Sequence, residues 1–128
     1  MSGPRHVLRP EDALERVAAA AARDESAVDA CRRLVLAIRR ADTQRGTDLE
    51  KTLRTYYACG ATVQATADAL FLHRNSVRYR LDSVRILVGF DLDHPVVASA
   101  LMAAFAVDEA AAAREELEKA RHEAQRTK

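Results

Sequence analysis

The sequence predicts an all-α fold, and three observations carry that expectation. Alanine and arginine are abundant while glycine and proline number only 4 and 3, a composition that favours helices over sheets and turns. Apolar residues recur at three- and four-residue spacing along most of the chain, the period of an amphipathic helix. Cap and stop residues divide that pattern into segments of ordinary helical length. A chain of 128 residues holds one domain with a modest core, since a fold of this size buries about two-thirds of its unfolded surface. The expected architecture is a small helical domain with a helix-turn-helix core, extra N-terminal helices and a long C-terminal helix.

Residues 1–9 show no period and read as a disordered tail. Pro10 opens the first helix, with Glu11 and Asp12 at the positive end of its dipole and Leu14, Val17, Ala18 and Ala21 along one face. Asp24 or Ser26 caps a second helix carrying Val28, Cys31, Leu34, Val35 and Ile38. This helix is expected to end near Arg39 and Arg40, completing an N-terminal helical pair over 10–41, with Ala41 to Gly46 as a loop. Thr47 and Glu50 have the spacing of a capping box, which predicts a third helix from Asp48 with Leu49, Leu53, Tyr56 and Tyr57 as its apolar face and Gly60 as its exit.

Thr62 caps a short helix ending at Leu70, and a turn over Phe71 to His73 leads into a longer helix from Arg74 to Val88 that stops at Gly89. Asp93 or His94 caps the final helix, which starts at Pro95 or Val96. Residues 47–107 form the expected helix-turn-helix domain, and 108–128 a solvated helical extension or tail in which Leu117 is the one large apolar residue.

Several function classes are excluded or left open. A formal net charge of +1 argues neither for nor against nucleic acid, so the distribution of charge must decide. Cys31 and Cys59 are the only cysteines and sit on apolar stripes, reading as buried free thiols of a reducing compartment. No apolar run is expected to approach bilayer-spanning length and no signal peptide is evident, which places the chain in the cytoplasm with no membrane partner. His6, His73, His94 and His122 share no metal-ligand spacing with the cysteines, and no phosphate loop or nucleophile-base set appears. No enzyme activity, catalytic residue, metal or cofactor is expected, and no motif names an effector.

The stretch from Thr66 to Leu81 is the informative one. A helix-turn-helix needs small residues where its two helices touch, here Thr66, Ala67 and Ala69, and an apolar seam on the second helix, here Val77, Leu81, Val84 and Val88. At 100° per residue, Asn75, Tyr79, Asp82 and Ile86 fall opposite that seam, flanked by Ser76 and Arg78, with Arg74 in the first turn. Asparagine can bond an adenine edge, arginine a guanine edge, and tyrosine a phosphate or thymine methyl. Arg74, Asn75, Ser76, Arg78 and Tyr79 are therefore the candidate base-reading residues of a helix lying in the major groove. Thr62, Gln64, His73 and Arg80 are candidates for phosphate contact or support: His73 caps an amide or touches phosphate, and Arg80 is packed or paired, with Asp68 as a partner. Asp82 would repel phosphate, confining the reading surface to His73 through Tyr79.

The run Leu70-Phe71-Leu72-His73-Arg74-Asn75-Ser76-Val77-Arg78-Tyr79-Arg80-Leu81 closely resembles the C-terminal helix-turn-helix of the PucR family of bacterial transcription regulators, which includes regulators of purine and sugar-diacid catabolism. Arg45-Gly46 through Tyr56 resembles that family's lead-in helix, and Val88-Gly89-Phe90-Asp91-Leu92-Asp93-His94-Pro95 its exit. A looser similarity to the Fis-type helix-turn-helix covers the central stretch, implying a Fis-like core. Thr62 stands where the family usually has asparagine, Ala98 where it has arginine, and Ile86 where it has a polar residue. The sensing and dimerising regions of family members do not fit before residue 40, so a fragment and a short member both stay open.

The resemblance implies a sequence-specific DNA-binding transcription regulator whose partner is double-stranded DNA, with a second copy of the chain as a further partner. The competing reading is a helical interaction or dimerisation module whose motif no longer binds DNA, suggested by the low net charge and by Ile86.

Overall fold

The computed structural model describes residues 7–127, so the first six residues of the expected tail and Lys128 lie outside it; residues 7–9 have no regular structure. Six helices follow: α1 (Pro10–Ala21), α2 (Glu25–Arg45), α3 (Leu49–Ala58), α4 (Val63–Leu70), α5 (Arg74–Val88) and α6 (Pro95–Arg126). No strand occurs among the described residues, as the composition predicts.

One core joins five of the helices. Val35 and Ile38 of α2, Leu53 of α3, Val77, Leu81 and Val84 of α5 and Leu101 of α6 are almost wholly buried together, with Leu92 entering from the α5–α6 connection. Each such side chain contributes about 1.5–3 kcal/mol by leaving water. A smaller cluster of Ala18, Ala22, Val28, Val107 and Ala111 fastens α1 and the start of α2 to α6. Because α1 leans on α6 through alanines, its contact strip is narrow. Ala18 is buried while Val17, expected on the apolar face, is 65% exposed.

Helix ends follow their caps with two corrections. Asp24 caps α2 by accepting from the Ser26 amide at 3.2 Å. The helix does not stop near Arg40 but runs to Arg45, where Gly46 turns the chain at φ 64°. Ala41 is buried in the core, so the polar segment after it is the exposed side of a continuing helix rather than a loop. The expected Thr47/Glu50 capping box is also absent. Asp42, one turn before the end of α2, accepts from the Thr47 hydroxyl and from the amides of Leu49 and Glu50 at 2.6, 2.7 and 3.0 Å. A bidentate carboxylate carried by the preceding helix satisfies the α3 terminus better than a local box, and it ties the α2–α3 corner into a fixed shape. Glu50 is thereby freed to pair with Arg39 and Arg54.

By length and composition α6 could cross a bilayer, which corrects the expectation that no apolar run approaches that length. Its apolar face is nevertheless part of the core: Leu101, Ala104, Phe105, Val107 and Ala111 are buried against the other helices. Asp108, in the middle of that run, pairs with Arg32 and Arg39. Beyond Ala111 every described residue of α6 is exposed, so the last four turns stand away from the core as a charged helical extension. Both cysteines are free and half-buried rather than buried. Burial, reinforced by the Asp108 charge, raises the Cys31 thiol above its ordinary range.

Candidate nucleic-acid interface

The chain reverses twice to present α5. At the end of α3, the Ala61 amide reaches the Tyr56 carbonyl at 2.8 Å and the Gly60 amide the Tyr57 carbonyl at 3.2 Å, a Schellman closure with Gly60 at φ 71° and Ala61 at φ 59°. Thr62 then precedes α4, but its hydroxyl donates back to the Cys59 carbonyl instead of capping the helix. The same closure recurs after α4, where the Leu72 amide reaches the Ala67 carbonyl at 2.9 Å. Here the left-handed position is occupied by Phe71 at φ 56°, with its side chain 96% exposed.

His73 starts α5 by accepting from the Asn75 amide at Nδ1, 3.1 Å, the capping role expected for it. With Nδ1 an acceptor, the neutral ring carries its proton on Nε2, a donor left on an exposed side chain. Where α4 and α5 touch, Thr66 and Ala67 are buried and α5 answers with Val77, Leu81 and Val84. Ala69, expected at that contact, is exposed; it lies two positions from Ala67, on the far side of the helix. Val88 is half-buried at the edge of the seam.

Helical geometry places the outer face of α5 where expected. Arg74, Asn75, Ser76, Arg78 and Tyr79 are all exposed, Tyr79 to 74%. Three arginines and no acidic residue lie between Phe71 and Leu81. Arg74 and Arg78 form no ion pair with any described carboxylate, whereas Arg85 farther along the helix is held by Asp82 at 2.7 Å and Asp93 at 3.8 Å. The first two turns are thus a patch of uncompensated positive charge, bounded by a neutralised third.

Arg80 is half-buried, but its partner is not Asp68. Its guanidinium donates to the Thr52 hydroxyl at 3.3 Å, and Thr52, fully buried, passes its own proton to the Asp48 carbonyl at 2.8 Å. Asp68 instead takes the Gln64 amide at 2.9 Å. Arg80 leans toward α3 because residue 80 sits 300° from Val77, on the flank that α3 covers.

That flank borders an open groove of about 510 Å3 between α5 and the α2–α3 corner. Asn75, Ser76, Tyr79, Arg80 and Ser83 form one wall and Arg45 to Leu49 the other. Four of the nine candidate residues, Asn75, Ser76, Tyr79 and Arg80, therefore share one concavity. Arg74 and Arg78 lie on the exposed face beside it, and His73, Thr62 and Gln64 are not among its lining residues. Arg45 is a site residue that sequence reasoning missed; it stood there only as the first residue of the lead-in motif.

The flanking motifs hold this assembly in place. Tyr56 donates to Asp93 at 2.6 Å and Tyr57 to the Leu92 carbonyl at 3.0 Å, anchoring the α5–α6 connection to α3. Burial, then the hydrogen bond to Asp93, pushes the Tyr56 phenol up to about 12, and burial, then the Asp93 charge, does the same for Tyr57. Both stay protonated donors across the physiological range. His94 starts α6 as His73 starts α5, with Nδ1 accepting from Val96 at 3.2 Å.

Comparison with known proteins agrees with this geometry. Residues 49–107 match the family model of the PucR C-terminal helix-turn-helix domain. Uncharacterized proteins of Mycobacterium bovis and Mycobacterium tuberculosis are each 42% identical over 50 residues, covering 39% of this chain and 12% of the relative. The match thus spans a small part of much longer relatives. No solved structure matches the chain. With its closure at Phe71, its His73 cap and its buried α4–α5 contact, the segment 49–107 is similar to the PucR C-terminal helix-turn-helix domain.

Proposed function

We infer that the chain binds double-stranded DNA sequence-specifically and acts in the cytoplasm as a transcription regulator or as the DNA-binding part of one. The single observation that carries this is the uncompensated charge of Arg74 and Arg78 on an exposed helix face that also bears Asn75, Ser76 and Tyr79. In this reading those five residues face base edges in the major groove. Thr62, Gln64, His73 and Arg80 contact phosphate or hold the helix, and Thr52 positions the Arg80 guanidinium. The polar groups of the face gain partners from DNA that the protein itself does not give them. Selection from a random duplex pool at low salt is the test. Enrichment of a consensus supports the reading, a two-fold symmetric consensus shows that two chains engage together, and enrichment of nothing overturns it.

A second reading, a module that pairs with another copy of itself, is favoured by one observation. Phe90 and Val96 are 58% and 70% exposed, and they line an apolar concavity with Leu34, Val88, Val97, Ala100 and Leu101. Light scattering with and without the selected duplex separates the readings: a stable dimer that ignores DNA supports the second alone.

A further inference from the structure

The groove between α5 and the α2–α3 corner borders the base-reading face, with which it shares Asn75, Ser76 and Tyr79, and adds cations that this face does not use. Its two cations come from different elements, Arg45 from the last turn of α2 and Arg80 from α5, and Ser76 and Ser83 also line it. Asp48 is the one acidic side chain among its lining residues. Arg80 is fixed by Thr52 at 3.3 Å, and the opposite wall is fixed by the three hydrogen bonds that Asp42 accepts across the corner. Arg45 itself is exposed and forms no ion pair with any described carboxylate. The groove is therefore a rigid, net-positive slot with donors on both walls.

Its position follows from the size of DNA. The major groove is about 12 Å wide and a helix with its side chains about 10–12 Å across, so a helix lying there has a sugar-phosphate strand along each flank. The flank of α5 bearing Ser76, Arg80 and Ser83 is the one that Arg45 faces. The geometry points to this slot as the seat of a backbone phosphate, gripped by Arg45 from the α2–α3 corner and by Arg80 from α5. This rests on the DNA-binding reading above and adds to it a second contacting element, outside the helix-turn-helix, that supplies affinity without sequence preference.

The test is a salt titration of duplex binding by the full chain and by Arg45→Ala, Arg45→Lys and Arg40→Ala. Arg40 is an exposed α2 cation that does not line the slot. Losing one phosphate contact lowers the magnitude of the log K against log salt slope by about 1 and weakens all sequences alike. Arg45→Ala is expected to show both effects, with Arg45→Lys and Arg40→Ala keeping the wild-type slope. Circular dichroism melting checks that each variant is folded, and Arg45→Gln replaces Arg45→Ala if the latter is not. A wild-type slope in the neutral Arg45 variant, or an equal loss in Arg40→Ala, overturns the proposal while leaving DNA binding intact. Absence of duplex binding by the unaltered chain overturns the function reading and this inference with it.

Discussion

Arg39 and Arg78 carry the same guanidinium into opposite surroundings. Arg39 lies two-thirds buried between Glu50 and Asp108, each at 2.7 Å. Its neighbours are treated alike: Arg32 meets Asp108 at 2.6 Å and Glu115 at 3.1 Å, and Arg54 lies 4.7 Å from the centre of the Phe105 ring beside Glu50 and Glu109. Three guanidiniums meet four carboxylates there, knitting α2, α3 and α6 together. On the first two turns of α5 the arginines of the outer face have no acid to meet. The difference explains why a net charge of +1 is uninformative: one region consumes its charge internally and the other presents it. Arginine on the first region holds the fold, and arginine on the second is available to a partner.

Asp108 is the residue on which the first region turns, since each of its oxygens takes a different guanidinium. Asp108→Asn is expected to cost about 1–3 kcal/mol in urea unfolding at neutral pH, with DNA affinity per folded molecule unchanged. Although burial pushes the Asp108 carboxyl up, the hydrogen bonds from Arg32 and Arg39 outweigh it and hold the group below its ordinary value. A depressed folded-state pKa means that the unfolded chain takes up the proton first. The stabilisation is therefore complete above about pH 4, the ordinary Asp value, and is lost as pH falls below it. An acid unfolding curve for Asp108→Asn should lack that part of the decline; an unchanged acid limb would show that Asp108 is not its source.

The second region allows a smaller test. Phe71 is a nearly fully exposed residue in the left-handed conformation, which costs a side-chain-bearing residue about 1–2 kcal/mol. Phe71→Gly removes that strain, while the extra freedom of glycine in the unfolded chain offsets part of the gain. A net stabilisation of up to about 1 kcal/mol is expected by thermal unfolding. A loss of stability would mean that the phenyl ring makes a supporting contact that its exposure conceals.

Features set by local sequence were legible in advance. The α5 limits, Gly89 as its stop and the caps at His73 and His94 follow from residues within one turn of the helix end. The exposed face of α5 follows from helical periodicity alone. Features set by tertiary partners were not legible. Asp42 reaches Leu49 across Gly46, seven positions away, and no local motif encodes that reach, so the Thr47/Glu50 spacing suggested a box that does not form. Arg80 was correctly placed on the packed side, yet its partner came from α3 rather than from Asp68, because a helical wheel gives direction and not the identity of the neighbour. Arg45 escaped notice for the same reason: its importance lies in the groove it shares with α5, a relation between segments about 30 positions apart.

The most direct measurement compares Arg78→Ala with Arg39→Ala, recording for each both urea unfolding and titration against a selected duplex. Arg78→Ala should leave stability within about 0.5 kcal/mol and weaken binding by about 1–3 kcal/mol with relaxed preference at one base position. Arg39→Ala should destabilise the fold and leave the intrinsic affinity of folded protein unaltered. If Arg78→Ala binds as tightly and as selectively as the unaltered chain, the uncompensated face of α5 is not where DNA is read.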